Sequence, residues 1–141
     1  MTNDVEFATV AIYVDDVPAT LEFYRRAMAL EPSYYDAELG FALLGPRQSI
    51  AVCSHAAGRL MMEDGYQEAV AHEVARTELA FWAEDVASAC ERAAEAGAAI
   101  LAPPRRMPWG QCVAYVRAPE GTIIGFLTRV ANDAPDQRSS D

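Results

Sequence analysis

Apolar residues change their spacing along this chain, and each change marks a place where a strand gives way to a helix. Ala8–Val14 is a run rich in β-forming residues. It ends at Asp15–Pro18, where an aspartate suits a helix N-cap and a proline suits the first helical turn. Beyond it, Leu21, Tyr24 and Met28 recur at the three- and four-residue spacing of an apolar helix face. The pattern predicts a strand followed directly by an amphipathic helix.

The same pattern occurs a second time. Glu78–Ala83 predicts a strand, Glu84–Val86 predicts a cap, and Ala87–Ala96 predicts an amphipathic helix that stops at Gly97, a residue suited to a left-handed C-terminal conformation. A shift of 69 positions aligns the two strand–cap–helix units. Recurrence at a fixed offset indicates two copies of one supersecondary unit.

Short β-like runs separated by turn residues follow each predicted helix. They are Ser33–Asp36, Phe41–Leu44 and Ser49–Cys53 in the first half, and Ala99–Leu101, Val113–Arg117 and Thr122–Thr128 in the second. Ala118–Gly121 carries proline at the second position and glycine at the fourth, which predicts a type I turn. The sequence therefore predicts an α+β fold built from two tandem β-α-β-β-β modules.

The predicted modules cover most of the chain. The first spans residues 8–56, a linker spans 57–76, the second module spans 77–130, and a disordered polar tail spans 131–141. Within the linker, Val70 and Val74 fall on one side of a candidate short helix over Tyr66–Val74. A chain of 141 residues suits one domain or two half-sized modules that share a core.

The amino-acid composition argues against some classes of binding partner. The formal net charge of −10 argues against nucleic acid, because phosphate binding needs a basic surface. No run of about 18 or more apolar residues predicts a membrane span. The odd number of cysteines and the polar N-terminal segment predict reduced thiols and a cytoplasmic location without a signal peptide.

The order and spacing of these elements resemble the vicinal oxygen chelate superfamily, which includes glyoxalase I, extradiol dioxygenases and the fosfomycin and bleomycin resistance proteins. The segments that carry the resemblance are Val14–Val17 with Phe23–Arg25, Glu78–Phe81 with Glu84–Val86, and Pro108–Gln111 with Ala118–Thr122. The resemblance covers about residues 8–130. It implies mixed sheets that curl around a U-shaped cleft, and it implies a homodimer.

The resemblance also implies where metal ligands would stand. In metal-dependent members they lie on the first and last strands of each module, at positions that correspond here to Thr9, Ala51, Glu78 and Gly125. Of these four, Glu78 alone has a side chain suited to a divalent ion, and a tight site needs three or four ligands. The chain is therefore expected to carry no cofactor and to be similar to the metal-free bleomycin resistance proteins.

Several residues are candidates for contacts with a ligand in the cleft. Glu78 either anchors a basic or hydroxylated ligand group or forms an ion pair with Arg117. Aromatic rings either stack on a planar ligand or pack in the core. The candidate ligand-binding residues are Tyr13, Phe41, Glu78, Trp82, Trp109, Tyr115 and Arg117. Strand alternation places Glu78 and Trp82 on one face.

Three other side chains could serve as metal ligands, but the sequence around them supports this role less than it does for Glu78. His55, His72 and Cys53 match no compact metal motif, so the histidines are expected to be solvated or to cap helices. Cys53 and Cys112 are expected to be small buried side chains. The proline-rich loop Pro103–Gly110 either covers the ligand or is a plain connector.

The leading functional hypothesis is a metal-free protein that sequesters a ring-containing, cationic natural product or antibiotic. The alternative is an enzyme, a lyase, isomerase or dioxygenase. It would use Glu78 as a base with Tyr13 or Tyr115 as acid, or as a metal ligand with His55 and His72. A third hypothesis is a partner-binding module whose cleft is filled.

Overall fold

The computed structural model of this protein describes residues 7–70, 73 and 77–130. The chain divides into two units, Met1–Glu73 and Val74–Asp141. Each unit contains one four-stranded mixed sheet and the helix that follows its first strand. The α+β class and the β-α-β-β-β order of each unit agree with the sequence prediction.

In the first unit, parallel pairing joins the first and last strands. Its elements are β1 (Val10–Val14), α1 (Val17–Met28), β2 (Tyr34–Asp36), β3 (Phe41–Leu44), β4 (Ile50–Ser54) and α2 (His55–Met62). The sheet order is β1-β4-β3-β2, in which β1 and β4 are parallel and the other neighbours are antiparallel. Short 3₁₀ turns occupy Pro46–Gln48 and Glu63–Gly65.

The second unit repeats this topology. Its elements are β5 (Glu78–Trp82), α3 (Val86–Glu95), β6 (Ala99–Arg106), β7 (Cys112–Arg117) and β8 (Ile123–Leu127). The sheet order is β5-β8-β7-β6, and β5 pairs with β8 in parallel. Ala11 pairs with Ala51 in the first sheet, and Ala80 pairs with Gly125 in the second. Ala11 and Ala80 are 69 positions apart, whereas Ala51 and Gly125 are 74 positions apart, so the strand pairing repeats while the segments between the strands differ in length.

The helices begin at the predicted caps. The Asp16 side chain accepts a hydrogen bond from the Ala19 backbone N–H at 2.9 Å, and the Asp85 side chain accepts one from the Ser88 N–H at 3.0 Å. Each carboxylate thereby satisfies an N–H group that has no partner within its helix. Gly97 follows α3 at φ +117°, a backbone conformation that glycine adopts without steric cost.

The two helices that follow the first strand of each unit, α1 and α3, bury apolar side chains. In α1, Tyr24 is fully buried, and its ring meets the Phe23 ring edge-to-face at a centroid distance of 5.1 Å. Leu44 on β3 is also fully buried. In the second unit, Ile124 and Phe126 of β8 are buried. These side chains alternate with residues that point to the opposite face of the sheet.

The structure corrects the predicted helix in the linker. The helix is α2, which starts directly after β4 and crosses the predicted boundary between residues 56 and 57. The described residues of the predicted helix, Tyr66–Val70, are not helical. The Ser54 hydroxyl caps α2 by accepting a hydrogen bond from the Ala57 N–H at 3.0 Å. The reason for the error is Gly58, which argues against a helix but here admits a close neighbour, because a Cβ at this position would lie 2.5 Å from the Tyr66 ring.

Strand β6 is longer than predicted. It continues through Pro103 and Pro104, which the sequence assigns to a loop. Its pairing with β7 shifts register between Ala102 and Arg105, and β6 lies at the edge of its sheet. Proline is tolerated at irregular positions of an edge strand because no ladder hydrogen bond is lost there.

Three further expectations concern the tail, membrane-spanning helices and the cysteines. The predicted disordered tail, residues 131–141, lies outside the described residues. Among those that are described, no helix combines the length and the apolar character that a membrane crossing requires. Cys53, Cys90 and Cys112 are free thiols, and the first two are buried.

Candidate functional site

The register of the second sheet arranges several predicted site residues in rows. Glu78, Ile123 and Arg117 form one row across β5, β8 and β7, and Ala80, Gly125 and Tyr115 form the next. Helix α3 follows β5, and the buried residues Ile124 and Phe126 point away from these rows. We term the surface formed by Glu78, Ala80, Trp82, Tyr115 and Gly125 the Glu78 face.

Glycine at position 125 brings Glu78 and Tyr115 together. A Cβ at Gly125 would lie 2.7 Å from Glu78 Oε2 and 2.9 Å from Tyr115 Cε1. The carboxylate of one strand and the ring of another therefore lean over the bare backbone of β8 between them. Any larger residue would exclude them from this position.

The Glu78 carboxylate is exposed and, among the residues that the structure describes, has no hydrogen-bond or ion-pair partner. The alternative of an ion pair with Arg117 is wrong. One strand separates the two side chains in their row, so their backbones are about 10 Å apart at the usual strand spacing. Arg117 Nη1 instead donates a hydrogen bond to the Gly121 carbonyl oxygen at 3.1 Å.

Trp82 lies on the same face as Glu78, at the opposite end of β5. Its ring is 46% exposed, and the guanidinium carbon of Arg129 lies 4.8 Å from the ring centroid. This cation–π contact occupies one side of the indole. An open groove of about 560 Å³ adjoins the ring, lined by Trp82, Ala83, Glu84, Thr128 and Arg129.

Trp109 is positioned by a short chain of hydrogen bonds. Its indole N–H donates to Gln111 Oε1 at 3.0 Å, and the Gln111 side-chain amide donates to the Thr128 carbonyl at 2.9 Å. Thr128 also lines the groove beside Trp82. The connection places the Trp109 loop at the Trp82 end of the sheet, about 13 Å along the strand from the Glu78 end.

Two predicted residues belong to the first unit, where they pack in a cluster. Tyr13, Cys53 and Phe41 form a row across β1, β4 and β3. The Tyr13 ring lies 5.3 Å from the Tyr66 ring, and the Phe41 ring lies 6.2 Å from the Tyr34 ring. Burial raises the pKa of both Tyr13 and Cys53, so both groups hold their protons at neutral pH.

The positions that the resemblance assigns to metal ligands do not fit an ion in this chain. Thr9 is exposed just before β1, Ala51 offers a buried methyl group, and Gly125 has no side chain. Glu78 supplies the one carboxylate. Three or four donors are needed for a tight divalent site, so these residues do not constitute one.

A cluster that the sequence analysis missed surrounds His55. The imidazole is 8% exposed, its Nε2 lies 2.7 Å from Asp15 Oδ1, and its Nδ1 forms a hydrogen bond with the Tyr66 hydroxyl. The expectation that His55 is solvated or caps a helix is wrong, because Ser54 provides the cap. The other predicted histidine, His72, lies outside the described residues.

The sequence did contain a signal for this cluster. Val14 and Ser54 are paired at the ends of the parallel strands β1 and β4. The residues that follow, Asp15 and His55, therefore leave the sheet at the same edge, where parallel strands present their carboxyl ends side by side. Burial, and then the nearby Glu68 carboxylate, raise the pKa of Tyr66. Its contact with His55 depends on the tertiary path of the chain.

The fold and the repeat register define a protein with two glyoxalase-like β-α-β-β-β modules. Residues 6–126 match the model of the Glyoxalase/Bleomycin resistance protein/Dioxygenase superfamily, and the chain belongs to this superfamily. No curated protein matches the chain.

Solved structures share the fold at low sequence identity. A protein of unknown function from Agrobacterium tumefaciens str. C58 is 20% identical, with a TM-score of 0.75 over 92% of this chain and 98% of that chain. A glyoxalase/bleomycin resistance protein/dioxygenase from Nocardioides is 22% identical, with a TM-score of 0.71 over 96% and 91%. Lactoylglutathione lyase from A. tumefaciens is 19% identical, with a TM-score of 0.63 over 90% and 96%. At these identities the likeness shows the fold alone.

Proposed function

We propose that the Glu78 face binds a small, ring-containing, cationic natural product or antibiotic without the help of a metal ion. In this proposal the protein is a cytoplasmic homodimer that sequesters its ligand and does not transform it. The observation that carries the proposal is the Glu78 carboxylate, exposed and without a described partner above Gly125.

The exposed Glu78 carboxylate favours a ligand that carries a cationic group. Glu78 makes no internal ion pair with the described residues, so its negative charge is available to a ligand. A hydrogen bond to a charged group contributes about 1.5–3 kcal/mol, roughly tenfold to a hundredfold in affinity. The net charge of −10 favours the approach of a cation over that of an anion.

Aromatic side chains on the same face favour a planar ligand. Tyr115 lies beside Glu78 over Gly125, and Trp82 stands farther along β5 with its ring half exposed. A ring stacked on Tyr115 would place an attached amine within reach of the carboxylate. The Trp82 groove, about 13 Å away, suits a second part of a longer ligand.

Thermal shift and calorimetry with the full chain test this proposal. A panel of cationic aromatic compounds, glycopeptide antibiotics among them, is expected to contain members that raise the melting temperature. Glu78→Gln is expected to weaken such a ligand about tenfold or more. Glu91→Gln is the matched control, because it removes the same charge from the exposed surface of α3. Equal affinity in both variants would contradict the role of Glu78.

An enzymatic function is the alternative that one observation favours. Glu78 and Tyr115 lie side by side over Gly125, which is an arrangement suited to a base and an acid acting on neighbouring atoms of one substrate. Catalysis would appear as conversion of a bound compound by the wild type. Loss of turnover in Glu78→Gln and in Tyr115→Phe, with binding retained, would support the enzyme over the sequestering protein.

A further inference from the structure

A second group of polar side chains belongs to the first unit and includes no residue of the Glu78 face and none of the positions that the resemblance assigns to metal ligands. Asp15, His55 and Glu68 each offer one possible ligand atom, and these atoms all lie within 4.8 Å of one another. We propose that the three side chains form a binding site for one divalent transition-metal ion of the Zn²⁺ type. This inference goes beyond the proposed function and does not depend on it.

The distances suit a small coordination sphere. His55 Nε2 lies 2.7 Å from Asp15 Oδ1 and 3.6 Å from Glu68 Oε1. In a tetrahedral Zn²⁺ site with bonds of 2.0–2.2 Å, ligand atoms are separated by about 3.3–3.6 Å. Small side-chain rotations of the two carboxylates therefore place all three atoms at bonding distance. Asp15 and Glu68 are exposed, so these rotations displace water and not packed neighbours.

The other ring nitrogen of His55 and the second carboxylate oxygen of Glu68 already have hydrogen-bond partners, and these partners suit metal coordination. The Tyr66 hydroxyl meets His55 Nδ1, which leaves Nε2 to face the two carboxylates. A metal-bound histidine commonly donates its other ring N–H to such an acceptor, and that hydrogen bond fixes the orientation of the ring. Arg59 Nη1 donates to Glu68 Oε2 at 2.8 Å, so Glu68 coordinates through Oε1 with its second oxygen held.

Charge and donor type select the class of ion. One imidazole nitrogen and two carboxylate oxygens suit Zn²⁺, Ni²⁺ or Cu²⁺ better than Ca²⁺ or Mg²⁺, which prefer oxygen donors alone. Two carboxylates around a neutral imidazole balance the charge of a divalent ion. Three protein ligands leave a fourth position for water on the exposed side. The site would also join the residue that follows β1, the first residue of α2 and the segment after Gly65, because one ligand comes from each place.

Calorimetric titration of the chelator-stripped full chain with Zn²⁺ tests the inference. We expect one Zn²⁺ per chain and a rise in melting temperature on binding. Asp15→Asn and Glu68→Gln preserve side-chain shape, and each is expected to reduce affinity by about tenfold or more, at least the loss seen when an outer-shell partner is removed. His55→Gln is expected to reduce it further, because the nitrogen donor is lost.

The two histidines of the chain provide a second readout that does not depend on the variants' stability. In NMR spectra, diamagnetic Zn²⁺ is expected to shift one set of histidine ring resonances, the set that is missing from His55→Gln. His72→Gln is the control variant and is expected to bind Zn²⁺ as the wild type does. Glu63→Gln, which removes a neighbouring exposed carboxylate of the same segment, is a second control with unchanged affinity expected.

Three outcomes would overturn the site. They are the absence of Zn²⁺ binding by the wild type, unchanged affinity in the folded Asp15→Asn/Glu68→Gln double variant, and loss of binding in His72→Gln. Unchanged affinity in the double variant would mean that other donors, such as the cysteine thiols, hold the ion, and loss of binding in His72→Gln would mean that His72 holds it.

Discussion

The Glu78 carboxylate lies directly over Gly125, so close that a Cβ on the glycine would be 2.7 Å from Glu78 Oε2. The two residues are on neighbouring parallel strands, β5 and β8, where Glu78 pairs with Ile123 and Gly125 lies two positions farther along β8. Gly125 is one of the positions that the resemblance assigns to metal ligands, and in this chain it provides space for the side chains of Glu78 and Tyr115. The glycine therefore shapes the proposed binding surface.

Gly125→Ala is expected to displace the Glu78 and Tyr115 side chains. The new methyl group would overlap both, and overpacking of this kind costs about 1–3 kcal/mol of unfolding free energy. Denaturant titration measures the cost. Gly65→Ala is the control, because a Cβ there meets nothing within 4 Å. Wild-type stability and ligand affinity in Gly125→Ala would show that the two side chains do not depend on the glycine.

Leu44→Ala should be among the more destabilising substitutions in the first unit. Leu44 is fully buried on β3, and removing a buried leucine side chain costs about 2–5 kcal/mol in transfer and cavity terms. Leu60→Ala is matched in chemistry but changes a side chain that is 69% exposed, so its expected effect is within about 0.5 kcal/mol. Comparable unfolding midpoints for the two variants would contradict the described core.

Asp85, which caps α3, should make the free energy of unfolding depend on pH in the acid range. Hydrogen bonds from the Ser88 backbone and hydroxyl hold the pKa of Asp85 below its usual range. The folded state therefore binds the proton less well than the unfolded state, whose pKa is about 3.9. The stabilisation is present above that value and is lost as the pH falls through the lower folded pKa.

Asp85→Asn separates this ionisation from the cap itself. Asparagine is also a good N-cap, so the variant should keep the helix start while its stability varies less with acid pH than that of the wild type. Urea denaturation at a series of pH values provides the comparison. Parallel stability–pH curves for the two proteins would contradict the role of the Asp85 charge.

The three thiols should differ in reactivity. Cys53 and Cys90 are buried, and burial raises the pKa of both, so little thiolate is available at neutral pH. Cys112 is partly exposed. Alkylation followed by mass spectrometry is expected to label Cys112 first in the folded protein and all three at similar rates in denaturant. Rapid native labelling of Cys53 would show that the β1–β4–β3 face opens to solvent.

Local chemistry made several features of this fold predictable. Asp16 and Asp85 signal their helices because a carboxylate cap acts on N–H groups two or three residues away. The turn at Ala118–Gly121 forms as predicted, with the Gly121 N–H donating to the Ala118 carbonyl at 2.9 Å. Strand alternation also correctly placed Glu78 and Trp82 on one face, since that property depends only on residue spacing.

Contacts between segments that are distant in sequence determined the features that the sequence analysis did not predict. Gly58 is tolerated inside α2 because the Tyr66 ring occupies the space beside it, and β6 continues past Pro104 because it is an edge strand. Within the described part of the chain Glu78 has no ion-pair partner, and Arg117, across the intervening strand β8, donates to the Gly121 carbonyl oxygen. His55 meets Asp15, 40 positions earlier, because β1 and β4 are parallel and end at one edge.

The sequence by itself determined the helix caps, the turns and the alternation of side chains along strands, because these features depend on interactions over a few residues. Tertiary structure alone decided which polar groups pair, because that depends on strand order and on the path of the chain between strands.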